Sequence, residues 1–195
     1  MDRRRTLKAA LAAALLVPAA RARAAGEDAA RPPAPVAQAL GEARLAGDGD
    51  LRWFGLKVYT AQLWVGPRGL RPERIDAEPF ALGLRYAMRL QGAAIADRSL
   101  EEIARMGFGD ADRRARWHAD MKRVFPDVAA GDQLIGVHAP GRATRFFHNE
   151  RATGAVEDPA FAGAFFAIWL DPRTVAPRLR DTLLRGAGDG ARAAG

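Results

Sequence analysis

The sequence contains no cysteine, which excludes disulfide bonds, thiolate catalysis and cysteine-ligated metal sites. Histidine is nearly as scarce. His118, His138 and His148 have none of the spacings typical of a zinc site, and no carboxylate cluster stands beside them in the chain. Phosphate-binding loops and nucleophile elbows are also missing. We therefore predict no metal site, no cofactor and no catalytic residue of a familiar kind.

Long hydrophobic runs are missing too, apart from a short one at residues 9–20 that is too short to span a bilayer as a helix. This run follows a basic start and precedes an A-x-A sequence at residues 22–24. Residues 1–24 are therefore predicted to be a signal peptide, cleaved near Ala24, that directs the protein to the periplasm. Residues 2–8 resemble a twin-arginine signal, with the general export route as the alternative. No transmembrane segment is expected after cleavage.

The charge of the chain does not point to nucleic acid. The formal net charge is +7, but residues 1–24 carry +5 of it, which leaves about +2 on the mature chain. The remaining arginines are scattered among acidic residues, and no basic stripe alternates with aromatic residues. Nucleic-acid binding is therefore excluded as a function.

Composition divides the mature chain into a linker, one domain and a tail. Residues 25–38 are polar and proline-rich, which predicts a disordered linker. The segment of residues 39–186 is long enough and hydrophobic enough to form one domain with a substantial core. We expect the protein to be a monomer. Residues 187–195 are predicted to be a frayed tail.

Strands and helices alternate in blocks. Residues 50–65 are rich in β-branched and aromatic residues on both alternating faces, which predicts one long, buried strand with a bulge at Gly55. Further strands are predicted at residues 42–46 and 80–90, and a hairpin at 134–138 and 144–148. This order favours an α+β fold with an antiparallel sheet.

Four helices are predicted where a capping residue precedes apolar residues at helical spacing. Ser99 and Glu102 form a capping-box pattern, which also places Glu102 on the helix surface. The four predicted N-caps are Ser99, Asp110, Asp158 and Asp171.

One charge is out of place in this pattern, because Arg52 lies in the apolar strand and cannot shed its proton. It must contact water, an internal carboxylate or an anionic ligand. The first two alternatives make Arg52 structural. In the third, Arg52 and Tyr59 hold one oxyanion together, with Arg44 and Tyr86 on flanking strands. The third requires the bulge at Gly55, because Arg52 and Tyr59 point to opposite faces of a regular strand.

Four segments, in this order, resemble the chalcone isomerase-like family, in particular its bacterial, exported branch. They are GDGDLRWFGLKVYTAQLWV, RLQGAAIADRSLEEIARMG, RVFPDVAAGDQL and FAGAFFAIWLDPRTVAPRLRDTLL. The resemblance covers nearly the whole mature domain. It implies an open-faced β-sandwich, in which a large antiparallel sheet packs against a layer of helices with a ligand cleft between them.

The resemblance also bears on the chemistry. Plant members close a chalcone to a flavanone with an Arg, two Thr, a Tyr and an Asn and without a cofactor, whereas fatty-acid-binding members hold a carboxylate with Arg and Tyr. The resemblance places four residues of this chain at the Thr, Tyr, Asn and Thr positions, in that order: Tyr59, Ile95, Glu102 and Ile168. Only the Arg is kept, as Arg52 or, in a second alignment, as Arg44.

Isoleucine donates no hydrogen bond to a developing oxyanion, and each lost donor lowers a rate about 100- to 1,000-fold. We therefore expect a non-catalytic protein that binds an apolar anionic small molecule such as a fatty acid, with Arg52, Tyr59 and Arg44 as ligand-binding residues. Two alternatives remain: an intramolecular lyase of unknown substrate, and a structural or interaction module whose cleft is closed.

Overall fold

The structure, a computed structural model, describes residues 31–188. Its centre is a six-stranded sheet in which every neighbouring pair is antiparallel and the strands lie side by side in chain order. The strands are β1 (Arg44–Trp53), β2 (Leu56–Val65), β3 (Phe80–Tyr86), β4 (Gln133–His138), β5 (Thr144–His148) and β6 (Arg151–Val156). The predicted α+β class with an antiparallel sheet is confirmed.

Within residues 31–188, five α-helices accompany the sheet. They are α1 (Ala34–Leu40), α2 (Gly92–Arg105), α3 (Ala111–Val124), α4 (Pro159–Leu170) and α5 (Pro177–Leu184). Helices α2 and α3 form the connection between β3 and β4, and α4 and α5 follow β6. Within the described residues, no helix is long and apolar enough to cross a membrane.

The two faces of the sheet carry two separate cores, because successive side chains of a strand point to opposite faces. On β2, Leu63 and Val65 belong to the large core that includes residues of α2 to α5, whereas Trp64 belongs to a smaller core with α1. The large core is the layer between sheet and helices that an open-faced β-sandwich requires.

Residues 50–65 form a hairpin, so the prediction of one long strand was wrong. Phe54 and Gly55 join β1 to β2, and both have positive φ (47° and 80°), as in the two-residue turns that suit the twist of a hairpin. The bulge predicted at Gly55 lies elsewhere: Leu51 pairs with Tyr59 and Arg52 with Lys57, which leaves Val58 as the extra residue on β2.

The ends of the domain also differ from the prediction. Residues 34–38 were assigned to a disordered linker, but they lie in α1, whose Val36 is fully buried against the sheet. Ala187 was assigned to the frayed tail, yet it is buried, and its carbonyl accepts a hydrogen bond from Leu70 N (2.6 Å). The predicted signal peptide, the start of the linker at residues 25–30 and residues 189–195 lie outside the described residues.

Two of the four predicted N-caps are confirmed. The Asp110 and Asp158 carboxylates accept hydrogen bonds from the backbone N–H groups of the first turns of α3 and α4. Ser99 is wrong as a cap, since α2 begins seven residues earlier at Gly92 and the Ser99 hydroxyl donates to Ile95 O (2.8 Å) within the helix. Asp171 is also wrong, because α5 begins only at Pro177.

Several strands end or begin where the sequence did not indicate. β1 runs from Arg44 through the segment predicted as a short strand, β3 stops at Tyr86, and β6 was not predicted.

Helix α5 lies so close to β1 that a Cβ atom at Gly47 would stand 2.1 Å from Thr182 O. Only glycine permits this approach of the two backbones.

Candidate functional site

A cavity of about 590 Å³ lies between the sheet and the helices, within the size range of small-molecule sites. Its wall on the sheet side comes from β1 to β4, and the opposite wall comes from α2, α4 and the loop between α4 and α5. The apolar lining residues are Leu51, Trp53, Val58, Leu84, Leu90, Ala94, Ile95, Leu134, Phe165, Ile168, Val175 and Ala176. The polar ones are Arg52, Tyr59, Tyr86, Arg98, Ser99, Glu102, Trp169 and Thr174.

The helical wall follows from helical periodicity. Ile95, Ser99 and Glu102 are spaced by four and three residues, so they lie on one face of α2, and this face lines the cavity. Ile168 and Trp169 of α4 line it as well. The resemblance aligns Tyr59, Ile95, Glu102 and Ile168 with the catalytic Thr, Tyr, Asn and Thr of the plant enzymes. All four line this one cavity, and two of them are isoleucines.

Tyr59 is the polar group best placed for a ligand. Its hydroxyl oxygen accepts a hydrogen bond from Trp169 Nε1 (2.9 Å), so the phenol proton is free to be donated. Among the hydrogen bonds of residues 31–188, no acceptor takes that proton. Burial raises the pKa of Tyr59 to about 12. The phenol therefore stays protonated and remains a donor at neutral pH.

Tyr86 stands directly opposite Tyr59 on the neighbouring strand, and the two rings meet edge to face with centroids 5.8 Å apart. The side chain of Tyr86 is buried, and this burial is the main cause that raises the pKa of its phenol. The nearby Tyr59 raises it further. Two protonated phenols thus lie side by side in the apolar interior of the cavity.

The other hydroxyl groups of the cavity are already in use. Ser99 Oγ donates to Ile95 O (2.8 Å), and Thr174 Oγ1 donates to Ile168 O (2.6 Å). Neither proton is available to a ligand. The two tyrosines therefore supply the free neutral donors of this site.

Arg52 lines the cavity from a position near the end of β1. Its side chain is 58% exposed, one guanidinium nitrogen lies 3.5 Å from Asp50 Oδ2, and another donates to Gly55 O (3.1 Å). Of the three predicted alternatives, the structure shows the first two: Arg52 is exposed to water and contacts an internal carboxylate, that of Asp50.

Arg52 stands at the solvent-facing edge of the cavity. In the ladder of β1 and β2 it pairs with Lys57, whereas Tyr59 pairs with the preceding residue Leu51. The side chains of Arg52 and Tyr59 therefore point to opposite faces of the hairpin.

The Arg52–Asp50 pair is easy to separate. Asp50 also contacts Lys57 Nζ at 2.8 Å and accepts a hydrogen bond from Thr60 Oγ1 at 2.8 Å. The hydrogen bond with Lys57 is the main reason why the pKa of Asp50 is lowered. Because Asp50 keeps these two partners, Arg52 can turn to another anion without leaving a carboxylate unpaired.

A second arginine of the cavity, Arg98, is held more firmly. It pairs with Glu101 (2.9 Å) and with Glu102, and Glu102 is also paired with Arg105 (2.8 Å). Glu102 is only 4% exposed, so its placement on the helix surface was wrong. A buried carboxylate depends on its guanidinium partners, which makes Arg98 a poor candidate for release to a ligand.

The structure places Arg44 outside this cavity. Its guanidinium donates to the backbone carbonyls of Gly186 and Gly188 and so ties the end of the chain to β1. Arg52 and Tyr59 thus both line the cavity, from opposite faces of the hairpin, and Arg44 does not line it.

Sequence reasoning missed two residues of the site, Trp169 and Arg98, and reached Glu102 only through the resemblance. Trp169 has the helical spacing of a core residue, and nothing in that spacing distinguishes a core residue from a cavity residue. Arg98 and Glu102 carried a usable signal, since Arg98, Glu102 and Arg105 are spaced by four and three residues on one helix face. That pattern predicts an ion-pair network, although not its burial.

The histidines lie in other places. His118 contacts Asp97 (2.6 Å) on the surface, and His138 contacts the backbone oxygen of Asp76 (3.1 Å). Among residues 31–188, no group of three His, Asp or Glu side chains is arranged to hold a metal ion.

Comparison with known proteins assigns the fold and the family. A fatty-acid binding protein of Arabidopsis thaliana has a similar structure, with a TM-score of 0.57 and 13% sequence identity, over 75% of this chain and 88% of that chain. None of the curated proteins matches the sequence significantly. The family model described as "Chalcone isomerase-like" matches residues 35–185, which is nearly the whole described domain. This chain therefore belongs to the chalcone isomerase-like family.

Proposed function

We propose that this protein binds an apolar molecule with an anionic end group, such as a fatty acid, in the cavity between sheet and helices, without catalysing a reaction. The observation that carries the proposal is the cavity itself, apolar over most of its wall, with two protonated phenols inside and a releasable guanidinium at its edge. The alternative of a closed cleft is contradicted by the cavity.

Each end of such a ligand meets suitable groups. An alkyl chain gains free energy when it leaves water for the apolar wall. A carboxylate can accept charge-assisted hydrogen bonds from Arg52 at the edge of the cavity, or a hydrogen bond from the Tyr59 phenol inside it. The relative in Arabidopsis thaliana, a fatty-acid binding protein by its description, supports the same ligand class.

Calorimetric titration of the delipidated protein with oleate tests the proposal. Hydrogen bonds to charged groups contribute about 1.5–3 kcal/mol, so we expect Arg52→Gln to weaken binding about 10- to 100-fold. Tyr59→Phe is expected to weaken it about tenfold. Methyl oleate lacks the charge, so it should bind the wild-type protein no better than oleate binds Arg52→Gln.

The control is Arg142→Gln, which removes an exposed arginine in the turn between β4 and β5, at the opposite end of the sheet from Arg52. It should bind oleate like the wild type, and all three variants should keep the wild-type melting temperature within a few degrees. Absence of oleate binding by the wild-type protein contradicts the proposal. Equal binding by Arg52→Gln and wild type removes Arg52 from the site.

An intramolecular lyase is the alternative activity. Ile95 and Ile168 offer no donors, and a phenol with a pKa near 12 is a weak general acid at neutral pH. Both observations support binding rather than catalysis. Conversion of a chalcone by the wild-type protein above the background rate, and its loss in Tyr59→Phe, is the result that favours the lyase.

We further propose that the protein belongs to the bacterial, exported branch of the family and acts as a monomer in the periplasm. This rests on the basic start, the apolar run and the A-x-A sequence at residues 1–24. The mass of the chain recovered from the periplasmic fraction should correspond to a start near Ala25. A full-length chain retained in the cytoplasm contradicts export.

A further inference from the structure

The tip of the β1–β2 hairpin exposes three large apolar side chains that nothing in the described domain covers. Trp53 is 63% exposed, Phe54 91% and Leu56 69%. We call these three residues the hairpin tip. Met88 is exposed as well, and it follows β3 beside the hairpin, because Ala87 N donates to Val58 O (2.8 Å).

Phe54 is an unusual residue for its place in the turn. A bulky residue with positive φ is strained, and asparagine or glycine is preferred at this position of such a turn. The rings of Phe54 and Trp53 meet edge to face, with centroids 5.2 Å apart, and Phe54 is otherwise largely exposed. Inside the domain, Phe54 thus gains little that offsets the strain, which suggests that its role lies outside the domain.

Basic residues surround the hairpin tip. Arg52 and Lys57 flank it on the two strands, and Arg89 is exposed in the segment that follows Met88. Asp50 pairs with both Arg52 and Lys57, so one acidic group stands against three basic ones. The surroundings of the tip therefore carry a positive excess, which complements an anionic surface.

The shape of the tip favours a bilayer over a folded partner. Aromatic side chains offer about 150–250 Å² each, so two of them on a narrow turn fall well short of the roughly 800 Å² per partner of a stable protein–protein interface. A protruding tip with tryptophan and phenylalanine beside Lys and Arg is, in contrast, the composition that suits the boundary between headgroups and acyl chains.

The hairpin tip also adjoins the cavity. Arg52 and Trp53 line the cavity edge from the hairpin, and the half-exposed Val175 lines it from the loop between α4 and α5. A surface that contacts the tip therefore also contacts this edge of the cavity.

We propose that the hairpin tip inserts Trp53, Phe54 and Leu56 into the interfacial layer of a bilayer rich in anionic lipid, while Arg52, Lys57 and Arg89 contact lipid phosphates. This places that edge of the cavity on the membrane surface. The proposal goes beyond ligand binding in the cavity and does not depend on it.

Tryptophan fluorescence tests the proposal, because the other three tryptophans, Trp64, Trp117 and Trp169, are buried and acrylamide quenching reports chiefly on Trp53. The full chain is mixed with vesicles of phosphatidylglycerol and phosphatidylcholine in equal amounts, or of phosphatidylcholine alone. We expect the anionic vesicles to shift the emission to the blue and to protect Trp53 from acrylamide. Added salt should weaken this binding.

Two variants and a control sharpen the experiment, and residues 1–24 are the same in all of them. Phe54→Asn suits the turn better, so it should keep or raise the melting temperature while its vesicle partition coefficient falls about tenfold. Lys57→Gln should lower the coefficient about fivefold. Arg142→Gln, at the far end of the sheet, should partition like the wild type.

Three outcomes overturn the proposal. In the first, vesicle-bound protein leaves Trp53 as open to acrylamide as free protein does. In the second, Phe54→Asn partitions like the wild type. In the third, the wild type forms a dimer that Phe54→Asn abolishes and vesicles give Trp53 no protection, so that the tip binds a second copy of the chain. Phe54 does not line the cavity, so Phe54→Asn should bind oleate normally, and failure of oleate binding leaves the vesicle result unaffected.

Discussion

The two tyrosines of the chain, Tyr59 and Tyr86, both lie in the cavity, and burial raises the pKa of both phenols. The tyrosinate absorbance in an ultraviolet titration therefore comes only from residues of the cavity. We expect no tyrosinate absorbance from the folded protein near pH 10, and its appearance only near pH 12 or on unfolding. Normal titration of both tyrosines near pH 10 in folded protein contradicts the burial described above.

The same raised pKa values link stability to pH. A phenol whose pKa is higher in the folded than in the unfolded state stabilises the fold fully below the unfolded value of about 10. That contribution is lost as the pH rises from 10 towards 12. The double variant Tyr59→Phe/Tyr86→Phe should therefore lose less stability over this range than the wild type, as urea unfolding at a series of pH values will measure.

Arg52 shows how far a single residue can be predicted from sequence. Its charge in an apolar segment indicated contact with water, a carboxylate or a ligand, and the structure shows the first two. Its exposure was not predictable, because it depends on the turn that Phe54 and Gly55 form. That turn places Arg52 near the end of β1. Asp50, its partner, stands two residues away on the same strand, where a regular alternation places both side chains on one face.

At the scale of elements, Asp158 joins α3 to α4. Its Oδ1 accepts from Ala160 N (3.0 Å) at the start of α4, and its Oδ2 accepts from Trp117 Nε1 (3.0 Å) on α3. Asp158→Ala removes the cap and leaves a buried indole N–H without an acceptor. We expect a loss of about 2–4 kcal/mol in the free energy of unfolding, measured with urea.

Asp158→Asn is the matched variant, because it keeps one carbonyl oxygen at the same place. It can serve the cap or the indole but not both, so about half of the loss is expected. A change of less than about 0.5 kcal/mol in Asp158→Ala contradicts the assigned role, since removal of a cap alone typically exceeds that value.

Helices were predictable where their ends are made by local contacts. Asp110 and Asp158 satisfy backbone N–H groups within three residues of themselves, so sequence is sufficient. Ser99 has the same local pattern, yet it lies inside α2, because the helix begins where Asp127 Oδ1 accepts from Gly92 N (2.9 Å). That contact joins residues distant in sequence, which no local pattern contains.

The hairpin of β1 and β2 was not predicted, for a related reason. Turn prediction relies on residues that tolerate positive φ, and Phe54 is not one of them. From Leu51 to Leu56 the chain is apolar except for Arg52, and this includes the two turn residues. The sequence pattern therefore matched a single strand. The residue that hid the turn is the same one that makes the hairpin tip apolar.

For the whole molecule, the class and the layering of sheet and helices were predictable, because they follow from the order of blocks and from the resemblance to the family. An open cavity was not predictable. Phe165 and Trp169 have the same spacing whether they fill a core or line a space. Only the distance between layers decides, and that distance depends on packing across the entire domain.

The order of the strands has a consequence for how the chain folds. Each strand pairs with the one that precedes it. Three of the five ladders, β1–β2, β4–β5 and β5–β6, are closed by short connections, and hairpins of this kind form within microseconds. The ladder between β3 and β4 must instead wait until α2 and α3 have been accommodated, and longer loops lose more entropy on closure. We expect the junction of β3 and β4, which also borders the cavity, to be the last part of the sheet to assemble and the first to open.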